Sequence, residues 1–151
     1  MWKTIKRALK RFKMSQNNIS KHITYDEATI SQTSKRMKIT NTPTPEILNN
    51  MRHVAENCFE PLREWYGKPI YVSSFYRCTL LNEAIGGSNS SQHVKGQAID
   101  ITVGKKSENV KLFNWLRDNV EFDQLINEYD YSWVHVSLTK ENNRNQILKI
   151  G

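Results

Sequence analysis

The chain has 151 residues, 38% of them hydrophobic and 25% charged, a length that suits one domain around one core. No apolar run is long enough to span a membrane. The formal charge of +7 is unevenly placed: seven Lys and Arg and no acid lie between Met1 and Tyr25, and fifteen basic residues balance fifteen acidic ones beyond. The body of the chain is therefore neutral, which argues against nucleic-acid binding, because such binders carry basic charge on the folded surface.

Trp2, Ile5, Leu9 and Phe12 recur at spacings of three and four among Lys and Arg, predicting a basic amphipathic helix over residues 2–13. Two readings of it stand: contact with an anionic membrane or envelope surface, or a stripe docked on the domain. It has neither the continuous apolar core nor the small-residue cleavage site of a secretory signal. Residues 15–20 read as a polar hinge, and 1–22 as an appendage to a domain over 23–151. Thr24-Tyr-Asp-Glu27 is a capping box that opens a short helix. Pro45 fits the first position of the main core helix, which runs to residue 66 with Ile47, Leu48, Met51, Val54, Cys58, Phe59 and Leu62 on one face. Pro61 is expected to kink or split it and Gly67 to stop it.

Beyond it the pattern predicts a strand over 69–76, a short helix over 80–85 closed by Gly86-Gly87, and a polar loop over 88–91. A strand over 97–103 and a helix capped by Ser107 follow, and then strands over 122–128, 133–138 and 146–150. Late strands packed under early helices indicate an α+β domain with a mainly antiparallel sheet and helices on one side. Cys58 and Cys78 have no zinc-finger spacing. They read as two reduced, partly buried thiols, with a disulfide as the alternative outside the cytoplasm.

The chemistry concentrates in His93, Asp100 and His135. Side chains alternate across a strand, so Ile99, Ile101 and Val103 share one face and Asp100 the other; Val134, Val136 and Leu138 oppose His135 in the same way. If the two strands are neighbours, Asp100 and His135 emerge together, roughly 4.5–5.5 Å apart at Cβ when directly opposed. His93 precedes the strand, and Gly96 lets the chain turn so that its imidazole folds back. Two imidazoles and a carboxylate are a three-ligand set for one zinc ion, with the open fourth position of a catalytic site.

Ser91-Gln-His-Val-Lys-Gly-Gln-Ala-Ile-Asp100 resembles the Ser-x-His-x-x-Gly-x-Ala-x-Asp signature of the zinc D-Ala-D-Ala carboxypeptidase family, peptidoglycan peptidases that share a fold with the hedgehog signalling domain. Trp133-Val-His-Val-Ser137 resembles its second histidine strand, and Val72-Ser-Ser-Phe-Tyr-Arg77 its substrate-arginine strand. Leu81-Asn-Glu-Ala-Ile-Gly-Gly-Ser88 is similar to the short helix and loop between them. The resemblance runs from about Ile23 to Ile150 and follows the phage and prophage branch.

It implies His93, Asp100 and His135 as zinc ligands and Arg77 as the clamp on a substrate carboxylate. Ser74 and Gln92 are implied more weakly as holders of the substrate backbone. The family places an acid, the general base, just before the second histidine; Glu128 is favoured and Asp130 is the alternate, since Ser132 cannot act as a base. Phe75 stands where the family usually has Gly, an exchange expected to narrow the cleft or change the backbone angle. Cys78 stands where it usually has Ser, a soft spot for oxidation or a stray metal ligand. The resemblance implies a peptidase for peptidoglycan stem peptides, either a D-Ala-D-Ala carboxypeptidase or an endolysin-type endopeptidase, expected as a monomer; the missing signal pattern predicts synthesis in the cytoplasm and action at the cell wall or periplasm after release at lysis. The rival is a zinc-bearing but inactive wall-binding or phage-structural module, favoured if neither carboxylate reaches the metal site.

Overall fold

A computed structural model of the chain describes residues 1–151, with the side chains of residues 9–16 left aside. Helix α1 spans Trp2–Asn17, so the break falls at the extended Asn18 rather than at the hinge expected from residue 15. Trp2 and Ile5 are exposed, and the Lys6 ammonium lies 5.2 Å from the Trp2 ring centroid. This half of the apolar stripe is not docked; Leu9 and Phe12 lie outside the described side chains. Among the described residues no helix is long and apolar enough to cross a membrane.

The core reaches back to Ile19 and Ile23, both buried. Glu60 pins the segment between them, accepting from Ser20 Oγ at 2.6 Å and from the His22 backbone at 2.7 Å. The capping box forms as read, and α2 spans Tyr25–Thr29. A further helix, α3 (Gln32–Met37), starts on the Ser31 hydroxyl and buries none of its residues. The main core helix is two: α4 (Pro45–Val54), capped by Thr44, and α5 (Glu60–Tyr66), closed by the left-handed Gly67. One wide π turn, Ala55–Phe59, joins them. It ends two residues before Pro61, whose ring and missing N–H disfavour regular α-helical bonding to the preceding turn.

Five strands form one sheet in the order β1-β2-β4-β3-β5: β1 (Tyr71–Ser74), β2 (Ala98–Thr102), β3 (Gln124–Glu128), β4 (Trp133–Ser137) and β5 (Gln146–Ile150). All pairings are antiparallel except β3 with β5. Helices α6 (Thr79–Ala84) and α7 (Lys106–Asn119) complete the fold. Ser107 does not cap α7: the helix starts at Lys106, putting Ser107 inside its first turn. Alternation divides the sheet. Ile99, Ile101, Val134, Val136 and Leu125 join Met51, Val54, Phe59, Leu62, Leu112 and Leu116 of the helices in one core. Each such fully buried aliphatic or aromatic side chain contributes about 1.5–3 kcal/mol. The opposite face carries Asp100, His135, Ile126 and Glu128. Cys58 and Cys78 are both free; burial, and secondarily the Glu121 charge, push the Cys58 thiol up to about 12.

Candidate metal centre

Asp100 pairs directly with His135 across β2 and β4, and Ile126 of β3 lies on the other side of His135. His93 arrives from a 3-10 turn, Gln92–Lys95, which Ser91 caps and Gly96 ends at φ +70°. A Cβ on Gly96 would sit 2.8 Å from the Ile47 carbonyl and from the Ile47 and Met51 side chains. Glycine is needed there twice over, for the backbone angle and for the close approach of α4.

The three side chains meet. His135 Nδ1 lies 2.9 Å from Asp100 Oδ1, and His93 Nε2 lies 3.2 Å from Asp100 Oδ2. One donor atom from each residue falls within 4.8 Å of the others, and all three residues are buried. Tetrahedral coordination at 2.0–2.1 Å requires donors about 3.3 Å apart, so the set fits a single metal ion. His93 Nδ1 lies 2.7 Å from the Phe75 carbonyl. That contact makes Nδ1 the donor to the backbone and turns Nε2 toward the site, the usual supporting bond of a histidine ligand. Burial alone would raise the Asp100 carboxyl; the adjoining His93, with hydrogen bonds from both imidazoles, overrides it and holds the group well below the usual carboxylate range.

This cluster forms one wall of an open cleft of about 630 Å³ that Arg77, Gln92, Glu128, Trp133 and Arg144 also line. Residues 21–137 match the family model described as Peptidase M15. The chain belongs to the peptidase M15 family. No curated protein matches it.

The other residues expected of an M15 peptidase are distributed unevenly. Glu128 lines the cleft and accepts a hydrogen bond from the Trp133 indole. Burial, and then the Asp100 charge, push its carboxyl above its ordinary value. Asp130 is turned to solvent, its side chain 66% exposed and paired with Lys106, and does not line the cleft. Arg77 lines the cleft with its Nη2 on Ser91 Oγ at 3.3 Å, while its buried Nε has no partner among the described residues. Gln92 lines the cleft too, but its amide donates to Asp123 at 2.9 Å. Ser74 instead lines an adjoining hollow that shares Arg77 and Ile85 with the cleft.

The side chains at the two departures from the family pattern do not line the cleft. The Phe75 side chain is 2% exposed within the core and so does not narrow the cleft. Its φ is not positive, so no special backbone angle is needed, and only its carbonyl touches the site. Cys78 is partly buried against the core before α6 and does not line the cleft.

Sequence reasoning missed the rim. Tyr129, Asp130 and Tyr131, with φ of +48°, +55° and +61°, form a left-handed turn between β3 and β4. Such angles cost about 1–3 kcal/mol each in non-glycine residues. Asn127 Oδ1 accepts from the Tyr131 N–H at 2.6 Å, the Ser132 hydroxyl donates to the Tyr129 carbonyl at 2.7 Å, and the Tyr129 N–H bonds the Ile150 carbonyl at 2.8 Å. The turn sets Tyr129 against Trp133, ring centroids 5.1 Å apart, on the cleft wall beside Glu128.

Proposed function

We propose that the protein is a zinc-dependent peptidase that hydrolyses the peptide stems of bacterial peptidoglycan. The observation that carries this reading is the convergence of His93, Asp100 and His135 in a cleft that Glu128 also lines. His93, Asp100 and His135 would hold the zinc ion, which would supply Lewis-acid polarisation of the scissile carbonyl and acidify the attacking water. His93 and His135 offer imidazole nitrogens and Asp100 a carboxylate oxygen. Glu128 is assigned as general base: it takes the proton of the attacking water as the C–O bond forms and delivers it to the leaving nitrogen as the C–N bond breaks. Its raised pKa suits both halves of that task. Arg77 orients the substrate by its carboxylate. Burial lowers its pKa, and Asp100 and Glu128 oppose that, so the guanidinium stays charged.

The inactive wall-binding alternative is favoured if no carboxylate serves the metal site; Glu128 on the lining of the same cleft supports the enzyme. The test is mass-spectrometric analysis of defined muropeptides digested with and without chelator, which locates the cut bond and its metal dependence together. Cleavage that survives chelation, or that persists in a folded His135→Ala protein, removes the proposal. We also assign the exposed Trp2 and Ile5, among Lys3, Lys6 and Arg7, to contact with an anionic membrane or envelope surface. Deleting residues 1–13 should abolish cosedimentation with phosphatidylglycerol vesicles, and retained binding refutes the assignment.

A further inference from the structure

Arg144 precedes β5, seven residues past the segment that matches the family. Its guanidinium is held by Asp123: Nε donates to Oδ1 at 3.0 Å and to Oδ2 at 3.2 Å, Nη2 donates to Oδ2 at 2.6 Å, and the Arg144 backbone N–H adds a bond to Oδ1 at 2.8 Å. Gln92 gives Asp123 a further donor. The Asp123 side chain is 4% exposed and that of Arg144 51%, so the cleft meets the donor end of this pair and not its carboxylate. Nη1 takes no part in the pairing and, among the described residues, bonds no acceptor. The ordering of a long, flexible side chain has thus been accomplished before any ligand arrives.

The placement matters as much as the geometry. Arg77 follows β1 and Arg144 precedes β5, the two outer strands, whereas Asp100 and His135 lie on the inner β2 and β4. Both arginines line the same cleft. The cleft thus takes one guanidinium from the β1 edge of the sheet and one from the β5 edge. The surroundings of Arg144 are polar, with Gln92 and Gln124, whereas Tyr129, Trp133 and Ile150 line the part of the cleft near Glu128. A planar guanidinium with a free edge is matched best by a carboxylate, which takes two parallel N–H bonds.

We propose that Arg144 is a specificity-determining residue that reads a carboxylate on the side of the scissile bond away from Arg77, so that the preferred substrates are peptides acidic on both sides of the cut. This inference rests on the peptidase reading above. The test uses two synthetic stem peptides that differ only in whether the acidic residue on the acyl side carries a free carboxylate or a carboxamide, with zinc-loaded protein. A hydrogen bond to a charged group supports a ten- to hundredfold difference, by order of magnitude. The wild type should prefer the free carboxylate by about that factor in kcat/KM. Arg144→Gln should erase the preference while leaving the carboxamide peptide cleaved within about threefold. If Arg144→Gln does not fold, Arg144→Lys keeps a cation for Asp123 but lacks the fork, and it too should lose most of the preference. No preference in the wild type, or an equal loss on both peptides in a folded variant, overturns the inference and leaves the peptidase reading intact. Cleavage of neither peptide by the zinc-loaded wild type removes both.

Discussion

Replacing Glu128 with glutamine separates proton transfer from the rest of the site. Glutamine keeps the length of the side chain and an oxygen that accepts from the Trp133 indole. Glu128 lines the cleft but is outside the set of metal-ligating donors. Fold and metal content are therefore expected to stay at wild-type levels, while the group that takes a proton from water is lost. A positioned general base contributes on the order of 10²–10⁴ in rate, which is about 2.7–5.4 kcal/mol at 1.36 kcal/mol per tenfold. The loss should fall on kcat, because substrate binding is assigned to other residues.

The pH profile gives a second readout. Burial and the Asp100 charge raise the Glu128 carboxyl above its ordinary value, and a base works deprotonated. Wild-type kcat/KM should thus fall on the acid side as Glu128 is protonated, and Glu128→Gln should lack this limb. The assay is initial-rate cleavage of a stem peptide across pH in excess zinc, with metal content measured by emission spectroscopy. A Glu128→Gln protein with full metal content and activity within tenfold of wild type would refute the reasoning. Asp130→Asn, at a solvent-facing site paired with Lys106, should change the rate by less than about twofold.

Three further outcomes are expected. Zinc at a hundredfold excess over its Kd should stabilise the metal-stripped protein by about 2.7 kcal/mol, raising Tm by roughly 5–10 °C; a shift that persists in His135→Ala would show binding elsewhere. Gly96→Ala combines a left-handed backbone with contacts of 2.8 Å to α4, for a cost of about 2–5 kcal/mol in urea unfolding, and should also weaken zinc binding by displacing His93; a neutral result in both assays counts against the close approach. Burial raises the Glu60 carboxyl, but bonds from Ser20 and His22 outweigh it and lower the group overall, so its stabilisation is full above the unfolded value and lost as pH falls through the folded one; Glu60→Gln should flatten that acid limb, and hydrogen exchange at Ser20 and His22 should speed up.

Sequence made legible whatever depended on local period. The alternation around Asp100 and His135 sets their common face, because a two-residue repeat leaves each side chain only two directions. The helix α3 was not legible because its face buries nothing, so no hydrophobic period marks it. The parallel pairing of β3 with β5 follows from the path of the chain between them rather than from either strand. The Asp123–Arg144 pair joins residues twenty-one apart, each unremarkable alone. The left-handed run Tyr129–Tyr131 contains no glycine, so the usual marker of such angles is missing. The reading of Phe75 failed for a related reason: substitution at a motif position suggests a steric effect in the cleft, yet the side chain faces the core and the backbone carbonyl is what the site uses.

The metal donors and the assigned base are held by different means, and that difference bears on how this site tolerates change. Asp100 and His135 sit in the sheet centre, their backbones bonded into strands on both sides, over a core that fixes the pleat. Glu128 ends β3 against a strained turn, which is tied to β5 through the Tyr129 N–H, to β2 through the Thr102 hydroxyl on the Ser132 carbonyl, and to α7 through one buried amide. Asn109 of α7, 1% exposed, donates to the carbonyls of Tyr131 at 2.9 Å and Ser132 at 3.2 Å and accepts from the Val103 N–H at 2.9 Å. A left-handed turn of non-glycine residues persists only where its surroundings over-determine it, and Asn109 supplies that constraint from the opposite side of the sheet. With Glu128 as the proposed base, the arrangement would make proton transfer the more easily detuned function: perturbing α7 would act on Glu128 through this amide, while Asp100, His135 and His93 keep their own support from β2, β4 and the Phe75 carbonyl.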